Sequence, residues 1–162
     1  MTANQSTVVR SFPIMVTFGQ LVVFDHSLDR PFNLWSDRHV AQGFSWRPGS
    51  VSFRTSDGMH SVTVDAARTG EIAVPRHVRV IDVAFEVPAS GLIEIGSISD
   101  TTTLDLLPGN YQLRFRISEG AGGSQPKAHV TFLPASNPVF RVTHENGEMS
   151  EGEDLLLLAS PG

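Results

Sequence analysis

Apolar and polar residues alternate along most of this 162-residue chain. In the stretch 111–117, "YQLRFRI", every second residue is apolar and the residues between are Gln or Arg; "SVTVD" at 61–65 follows the same rule. Alternation with a period of two is typical of β-strands that bury one face and expose the other. The pattern predicts strands at 14–24, 50–55, 60–66, 78–87, 92–97, 102–107, 111–118, 128–133 and 138–143, with a less regular candidate at 154–159.

Short turn-forming sequences separate these strands. The sequences "SDG" (56–58), "ASG" (89–91) and "LPGN" (107–110) predict hairpins, and consecutive hairpins require antiparallel neighbours. The Gly-rich "EGAGGSQP" (119–126) predicts a loop. Short strands at regular spacing with turn signals are typical of an all-β fold, here an antiparallel β-sandwich or a jelly-roll-like barrel.

One short helix interrupts the predicted strands. Ser36 can serve as the N-cap of "DRHVAQ", because its hydroxyl can accept a hydrogen bond from a free backbone N–H of the first turn. Gly43 can end the helix in the left-handed conformation. The sequence therefore predicts a helix of about one and a half turns between the first two predicted strands.

The length suits a single domain over residues 1–162, with 1–11 as a flexible N-terminal tail. The chain has no cysteine, and "MTANQSTVVRSFP" lacks the apolar segment of a signal peptide. The longest apolar run, "LLLLA", is far shorter than the ~20 residues that a transmembrane helix needs. We therefore expect a cytoplasmic protein without a transmembrane segment, which can still associate with a membrane-located partner.

The charge of the chain argues against direct binding of nucleic acid. The net charge is −5 and Lys127 is the only lysine, whereas proteins that grip phosphates present clustered Lys and Arg. Acidic residues concentrate near the C-terminus, where "HENGEMSEGED" carries no Lys or Arg. This segment is either a solvated connection or an electrostatic attractor for a basic partner. The "LLLL" that follows suits a last strand buried on both faces.

No motif of a known catalytic or metal site occurs. The sequence lacks G-x-S-x-G, HExxH and the glycine spacings of nucleotide-binding loops. Its six histidines include no H-x-H pair; His60 and His129 are assigned to the polar faces of their strands, and His77 also shows no metal-ligand spacing. We expect no catalytic residues, no bound metal and no cofactor.

Both tryptophans lie in one interruption of the strand pattern, "NLWSDRHVAQGFSWRPGSVSF" at 33–53. The two tryptophans could cap the core, with Trp35 and Phe44 plugging the end of the sandwich over the short helix. They could instead form a protein-binding surface, since Trp and Arg are enriched at the energetic centres of interfaces. A third interpretation is a carbohydrate-binding module in which the two indoles form a stacking platform.

The same stretch carries a family resemblance. "LWSDRHVAQGFSWRPGSVSF" resembles the W-[ST]-D-x-x-x-x-[QK]-G-[FY] segment, followed by S-[VI]-S-F, of the competence protein J family. Three further blocks resemble that family in the same order: "VTFGQLVVFD" upstream, then "DVAFEVPASGLIEIGSI" and "LDLLPGNYQLRF" downstream. The blocks run from about Val16 to Phe115, and the C-terminal 26 residues from "NPVFRV" onward are similar to the closing part of many relatives. Ala84 stands where the family often has proline.

The resemblance implies a non-enzymatic inhibitor or immunity protein. Its partner would be a metal-dependent DNase of the NucA/NucB type, either a competence DNA-entry nuclease or the nuclease domain of a toxin. Side chains in and after the tryptophan stretch would supply the contacts. The predicted contact residues are Trp35, Asp37, His39, Trp46 and Arg47 as anchors, with Glu151, Glu153 and Asp154 as contributors of charge.

Overall fold

A computed structural model describes residues 6–67, 79–118 and 125–162, with side chains from Arg10 onward. Twelve strands and one α-helix make up most of this part of the chain. In chain order they are β1 (Ser6–Val16), β2 (Gln20–Asp25), α1 (Asp37–Gln42), β3 (Phe44–Arg47), β4 (Ser50–Arg54), β5 (Gly58–Ala67), β6 (Val80–Val87), β7 (Leu92–Ser97), β8 (Asp100–Asp105), β9 (Gly109–Ser118), β10 (Lys127–Pro134), β11 (Arg141–Thr143) and β12 (Met149–Glu151), followed by a 3-10 helix at Gly152–Asp154.

The strands form two sheets that enclose one apolar core. Sheet A has the order β1-β5-β10-β9-β6-β11-β12, and sheet B has the order β3-β4-β2-β7-β8. Inward-facing residues of both sheets belong to the same buried cluster, in which Phe53 of sheet B stacks on Phe115 of sheet A with ring centroids 4.4 Å apart. The predicted all-β, sandwich-like fold with one short helix is confirmed.

The first predicted strand, 14–24, is two strands in different sheets. The turn at residues 17–19 ends β1 in sheet A and starts β2 in sheet B. β1 itself begins at Ser6, within the segment assigned to a tail, while residues 1–5 lie outside the described residues. The strands β3 and β12 were not predicted, because each is only three or four residues long.

All three hairpin predictions are wrong. The connections after β4, β6 and β8 each carry the chain from one sheet to the other. The neighbours that do pair consecutively are β3–β4, β7–β8, β9–β10 and β11–β12. The strands β5 and β10 pair in parallel. Turn residues reverse the chain locally, but the sheet that the next strand joins depends on contacts distant in sequence.

The helix matches its prediction in both caps. Ser36 is the N-cap, and its hydroxyl accepts a hydrogen bond from the His39 backbone N–H at 3.3 Å. The ring Nδ1 of His39 in turn accepts from the Ser36 backbone N–H at 3.0 Å, which completes a capping box. Gly43 ends the helix with φ 91°, a conformation that glycine adopts at little cost.

Residues 26–36, the covering segment, lie over the outer face of sheet B. The side-chain amide of Asn33 donates to the backbone carbonyls of Ser45 (2.8 Å) and Ser50 (3.2 Å). Phe32 packs edge-on against Phe24 of β2. Outer-face residues such as Val22 are therefore as buried as those that face the core.

The C-terminal segment 155–162 is extended and follows the covering segment. The Leu34 N–H donates to the Ser160 carbonyl and the Gly162 N–H to the Phe32 carbonyl, both at 2.8 Å. Leu155 is buried, whereas the Leu158 side chain is exposed and the Leu158 backbone forms an isolated parallel bridge with Trp46. The prediction of a doubly buried strand at 154–159 is therefore wrong: backbone hydrogen bonds, not four buried leucines, hold this segment.

Candidate protein-binding surface

Trp46 belongs to the interior. It lies on β3 opposite Val51, which faces the core, and it packs against the core cluster. Its indole N–H donates to the Ala84 carbonyl of sheet A at 2.7 Å, and its ring meets Phe140 edge-on with centroids 5.0 Å apart. Trp46 is half-buried, and an indole N–H that is shielded from water requires such a partner. Trp46 therefore joins the two sheets.

Trp35 lies on the outer face of the same sheet. Its indole N–H donates to the side-chain carbonyl of Gln20 at 3.3 Å, and Gln20 alternates with the core residue Leu21. Gln20 pairs with Arg54 on β4, whereas Trp46 pairs with Val51 on the same strand. These two positions on β4 are three residues apart, which is about 10 Å along a strand. The two indoles thus occupy opposite faces of sheet B. They do not form the coplanar stacking platform that the carbohydrate-binding interpretation requires.

A cavity of about 450 Å³ opens beside Trp35. Its apolar lining comes from Phe18 in the β1–β2 turn, from Trp35 and from Val40 on the outward side of α1. Gln20, Arg54 and Thr55 add polar groups at the ends of β2 and β4. The covering segment, the helix and the end of sheet B thus surround a partly apolar recess at one end of the sandwich.

Among the lining residues that the sequence did not predict, Phe18 is the exposed aromatic one. It has φ 58°, and 78% of its surface is exposed. The segment "VTFGQ" was assigned to a continuous strand, and the turn signal within it was Gly19. Glycine inside a strand pattern often marks a break, and Gly19 also has positive φ (65°).

The turn that carries Phe18 is held on three sides by hydrogen bonds. The Gly19 N–H donates to the Asp57 carboxylate at 2.7 Å, and the Gly19 carbonyl accepts from the Thr55 N–H at 2.9 Å. The Thr17 N–H donates to the Ser97 hydroxyl at 2.9 Å. The β1–β2 turn, the β4–β5 connection and the β7–β8 turn therefore meet at this end of the molecule.

Asp37 and His39 take different positions on α1. Asp37 is exposed at the start of the helix. His39 is only 5% exposed and serves the helix cap, with Trp35 edge-on to its ring at 6.4 Å. Burial lowers the pKa of His39 and the charge of Arg38 lowers it further, while the nearby Leu158 backbone raises it by less. Within the part of the chain that the structure describes, the ring Nε2 has no partner in hydrogen-bond geometry, so the neutral form is favoured.

Arg47 holds the covering segment in place. Its Nε donates to the Asn33 side-chain carbonyl at 2.8 Å, and its terminal nitrogen contacts the Arg30 carbonyl. It lies on the outward side of β3, one residue after the inward-facing Trp46. Its contacts are therefore internal to the protein.

The acidic residues near the C-terminus lie on the other side of α1. Glu151 pairs with Arg141 on β11 at 2.5 Å. The Glu153 carbonyl accepts from Arg38 at 3.3 Å, and Asp154 lines a second, smaller cavity of about 190 Å³ with Arg38. The predicted contact residues therefore divide into the cavity beside Trp35, the interior around Trp46, and this acidic region.

The histidines form no shared site in the part of the chain that the structure describes. There, no three His, Asp or Glu side chains are close enough together to hold a metal ion. The assignment of His60 to a polar face is wrong: it is fully buried, opposite Ile14, and its Nε2 lies 2.9 Å from the Thr55 hydroxyl. His129 does face outward, and His77 lies outside the described residues.

No helix among the described residues has the length and apolar character needed to cross a bilayer. No curated protein sequence matches this chain significantly. Among solved structures, the chain is similar to ComJ from Bacillus subtilis, described as the inhibitor of the DNA-degrading activity of NucA. The two share 19% identity and a TM-score of 0.67 over 81% of this chain and 99% of that one.

A second solved structure, described as crocagin biosynthetic gene J, is 15% identical with a TM-score of 0.50, over 81% of this chain and 97% of its own. At such identities these two likenesses establish the fold alone. The sequence itself matches the family described as Competence protein J (ComJ) over residues 13–133. This match includes the β1–β2 turn, Trp35 in the covering segment, α1, and β3 with Trp46. The chain belongs to the competence protein J family.

Proposed function

We propose that this protein is a non-enzymatic inhibitor that binds a NucA-type DNase and blocks its action on DNA. The observation that carries the proposal is the family match over residues 13–133, because the family member of known structure is described as an inhibitor of NucA. The partner is the competence nuclease or a toxin nuclease domain of the same type, and the inhibitor acts from the cytoplasm.

The charge of the protein supports this partner. A DNase must present a positive groove to the phosphates of DNA. An inhibitor with a net charge of −5 is attracted to such a groove and does not itself compete for DNA. Among the predicted contact residues, Asp37, Glu151, Glu153 and Asp154 are exposed and can contribute to that attraction.

The test is an inhibition titration with purified components. The protein is mixed with a NucA-type nuclease from the same source, and cleavage of plasmid DNA is followed with increasing ratio of inhibitor. We expect cleavage to stop near one equivalent and the two proteins to elute together from a sizing column. Undiminished cleavage without co-elution would contradict the proposal, as would DNA cleavage by the protein alone.

A further inference from the structure

We propose that the end of the sandwich around Phe18 and the Trp35 cavity is the surface that docks on the nuclease. This surface, the Phe18 surface, consists of the β1–β2 turn with the cavity lined by Trp35, Val40 and Arg54. The inference rests on the proposed function and adds to it the site of contact. Phe18 is the anchor that enters the partner, and the cavity receives an apolar side chain of the partner.

Two features of Phe18 are unfavourable for the stability of the folded protein. A phenyl ring that is 78% exposed gains little from burial. The left-handed backbone at φ 58° is unfavourable for a residue with a Cβ atom, and glycine or asparagine adopts it more readily. Neither feature contributes to the core. Such strain persists where the surrounding structure enforces it, and it concentrates at functional sites.

The hydrogen bonds of the turn enforce this conformation. Asp57 and Ser97 accept from the N–H groups of the residues on either side of Phe18, and the Thr55 N–H donates to Gly19. Because these partners come from β7 and from the connection between β4 and β5, two separate segments fix the turn, and the ring is presented from a rigid base. An aromatic anchor fixed in this way loses little conformational freedom on binding.

The cavity next to the anchor has the chemistry of a receiving pocket. Trp35 and Val40 provide an apolar wall, and the Arg54 guanidinium provides a donor at its edge. Two further apolar side chains lie at the same end: Met15 and Met59 are paired across β1 and β5, and each is about two-fifths exposed. Flexible methionines beside rigid aromatics are typical of protein-binding surfaces.

The charged groups around this surface select a basic partner. Asp57 in the β4–β5 connection and Asp100 at the start of β8 accept from the backbone N–H groups of Gly19 and Met15 at this end of the sandwich. Asp37 is exposed at the start of α1, two residues after Trp35, and Arg54 lines the cavity. Three negative groups around an apolar centre complement a protein that presents Lys and Arg around an apolar residue. The DNA-binding rim of a nuclease has the required positive charge.

The experiment compares Phe18→Asn with Leu107→Asn in the inhibition titration and in a calorimetric binding assay with the inactivated nuclease. Leu107 is 80% exposed and follows β8 at the opposite end of the sandwich. We expect Phe18→Asn to weaken binding at least about tenfold, as for an interface anchor, and to leave the unfolding midpoint unchanged or raised, since asparagine tolerates the backbone. Leu107→Asn should bind like the wild type.

A second pair of variants tests the cavity. Val40→Arg places a bulky positive charge in the cavity, and Val139→Arg places one at an equally exposed site away from it (45% and 44% exposed). We expect binding to weaken at least about tenfold for the first variant and less than about threefold for the second.

The outcomes distinguish a failure of the proposed docking surface from a failure of the proposed inhibitory function. If the wild type inhibits but Phe18→Asn and Val40→Arg inhibit equally well, the proposed surface is overturned and the proposed function stands. If the wild type neither binds nor inhibits, both are overturned. If Phe18→Asn only dissociates a dimer of the free protein and still inhibits, the surface serves self-association, which also overturns the proposal.

Discussion

Trp35 and Trp46 are eleven residues apart and occupy opposite faces of one sheet. Trp46 faces inward, packs on Phe140 and bonds to the other sheet. Trp35 faces outward, bonds within its own sheet and lines a cavity open to solvent. The chain lies on the outer face of sheet B before α1, and after α1 it enters the sheet as β3, where Trp46 points to the inner face.

The contrast divides stability from binding. Trp46 connects both sheets, so loss of its side chain should lower the stability of the fold more than it weakens partner binding. The region of Trp35 and Phe18 combines exposed aromatic surface with a rigid base, so its loss should weaken partner binding more than folding. Each of the following measurements tests whether the two regions differ in this way.

The largest expected effect is that of Trp46→Ala. Removal of the indole leaves a void beside Phe140 and an unpaired Ala84 carbonyl, and we expect the free energy of unfolding to fall by about 3 kcal/mol. Trp35→Ala should lower the free energy of unfolding by about half as much, because the Trp35 ring borders the open cavity on one side. Urea unfolding followed by circular dichroism measures both. Equal losses for the two variants would refute the division.

Gln42→Ala should have the next largest effect. The Gln42 amide donates to the carbonyls of Phe44 (2.9 Å) and Leu156 (2.8 Å) and accepts from the Leu156 N–H (2.9 Å), so it clamps the C-terminal segment to the end of α1. We expect a loss of about 2 kcal/mol, since buried backbone groups are left unpaired. Amide exchange at Leu156 should accelerate.

Gln112 provides the matched control for Gln42. It holds Val139 through the same pair of hydrogen bonds, both at 2.8 Å, but is less buried. Gln112→Ala should therefore cost less and leave exchange at Leu156 unchanged. Unaltered exchange at Leu156 in Gln42→Ala would show that the clamp is not what holds the C-terminal segment.

Ser36→Ala removes the N-cap of the helix that separates the two tryptophans. The hydroxyl that accepts from the His39 N–H is lost, and we expect the free energy of unfolding to fall by about 1 kcal/mol. Ser36→Asp retains a hydrogen-bond acceptor at the N-cap, so its free energy of unfolding should stay close to that of the wild type. A thermal or urea midpoint equal to that of the wild type in Ser36→Ala would contradict the role of the cap.

The smallest effect is a pH dependence from His39. Burial, aided by Arg38, lowers the pKa of this histidine in the folded protein. The unfolded chain therefore takes up the proton first, so stability is complete above the ordinary pKa of about 6.5 and is lost as the pH falls below it. The pKa of His129 is also lowered, first by burial and then by Arg116, and it acts in the same direction.

Urea unfolding at pH 7.5 and 5.5 measures this dependence. The wild type should be less stable at pH 5.5, and the difference should shrink in His39→Gln. A double variant with His129→Gln should reduce it further. If the difference between the two pH values is the same in His39→Gln as in the wild type, His39 does not control it.

Local sequence was sufficient for α1 and for the faces of several strands. Ser36 and Gly43 predicted both ends of the helix, because caps act through hydrogen bonds and backbone angles within a few residues. The inward positions Leu113 and Phe115 followed from alternation alone. His60 lies two residues before the inward-facing Val62, so alternation places it on the same, inward face of β5. Its assignment to the outer face followed the polarity of the residue instead of its position, and is wrong.

The amino-acid sequence alone predicts the all-β character, the helix with its caps, and the motifs that lie within the family match. Tertiary structure alone decided that three turns cross between sheets, that β5 pairs in parallel with β10, and that Phe18 meets the Trp35 cavity. The two groups of features differ in the separation along the chain over which the responsible interactions act. Caps and alternation act over a few residues, whereas pairing and the assembly of a surface depend on burial shared by segments far apart in the chain.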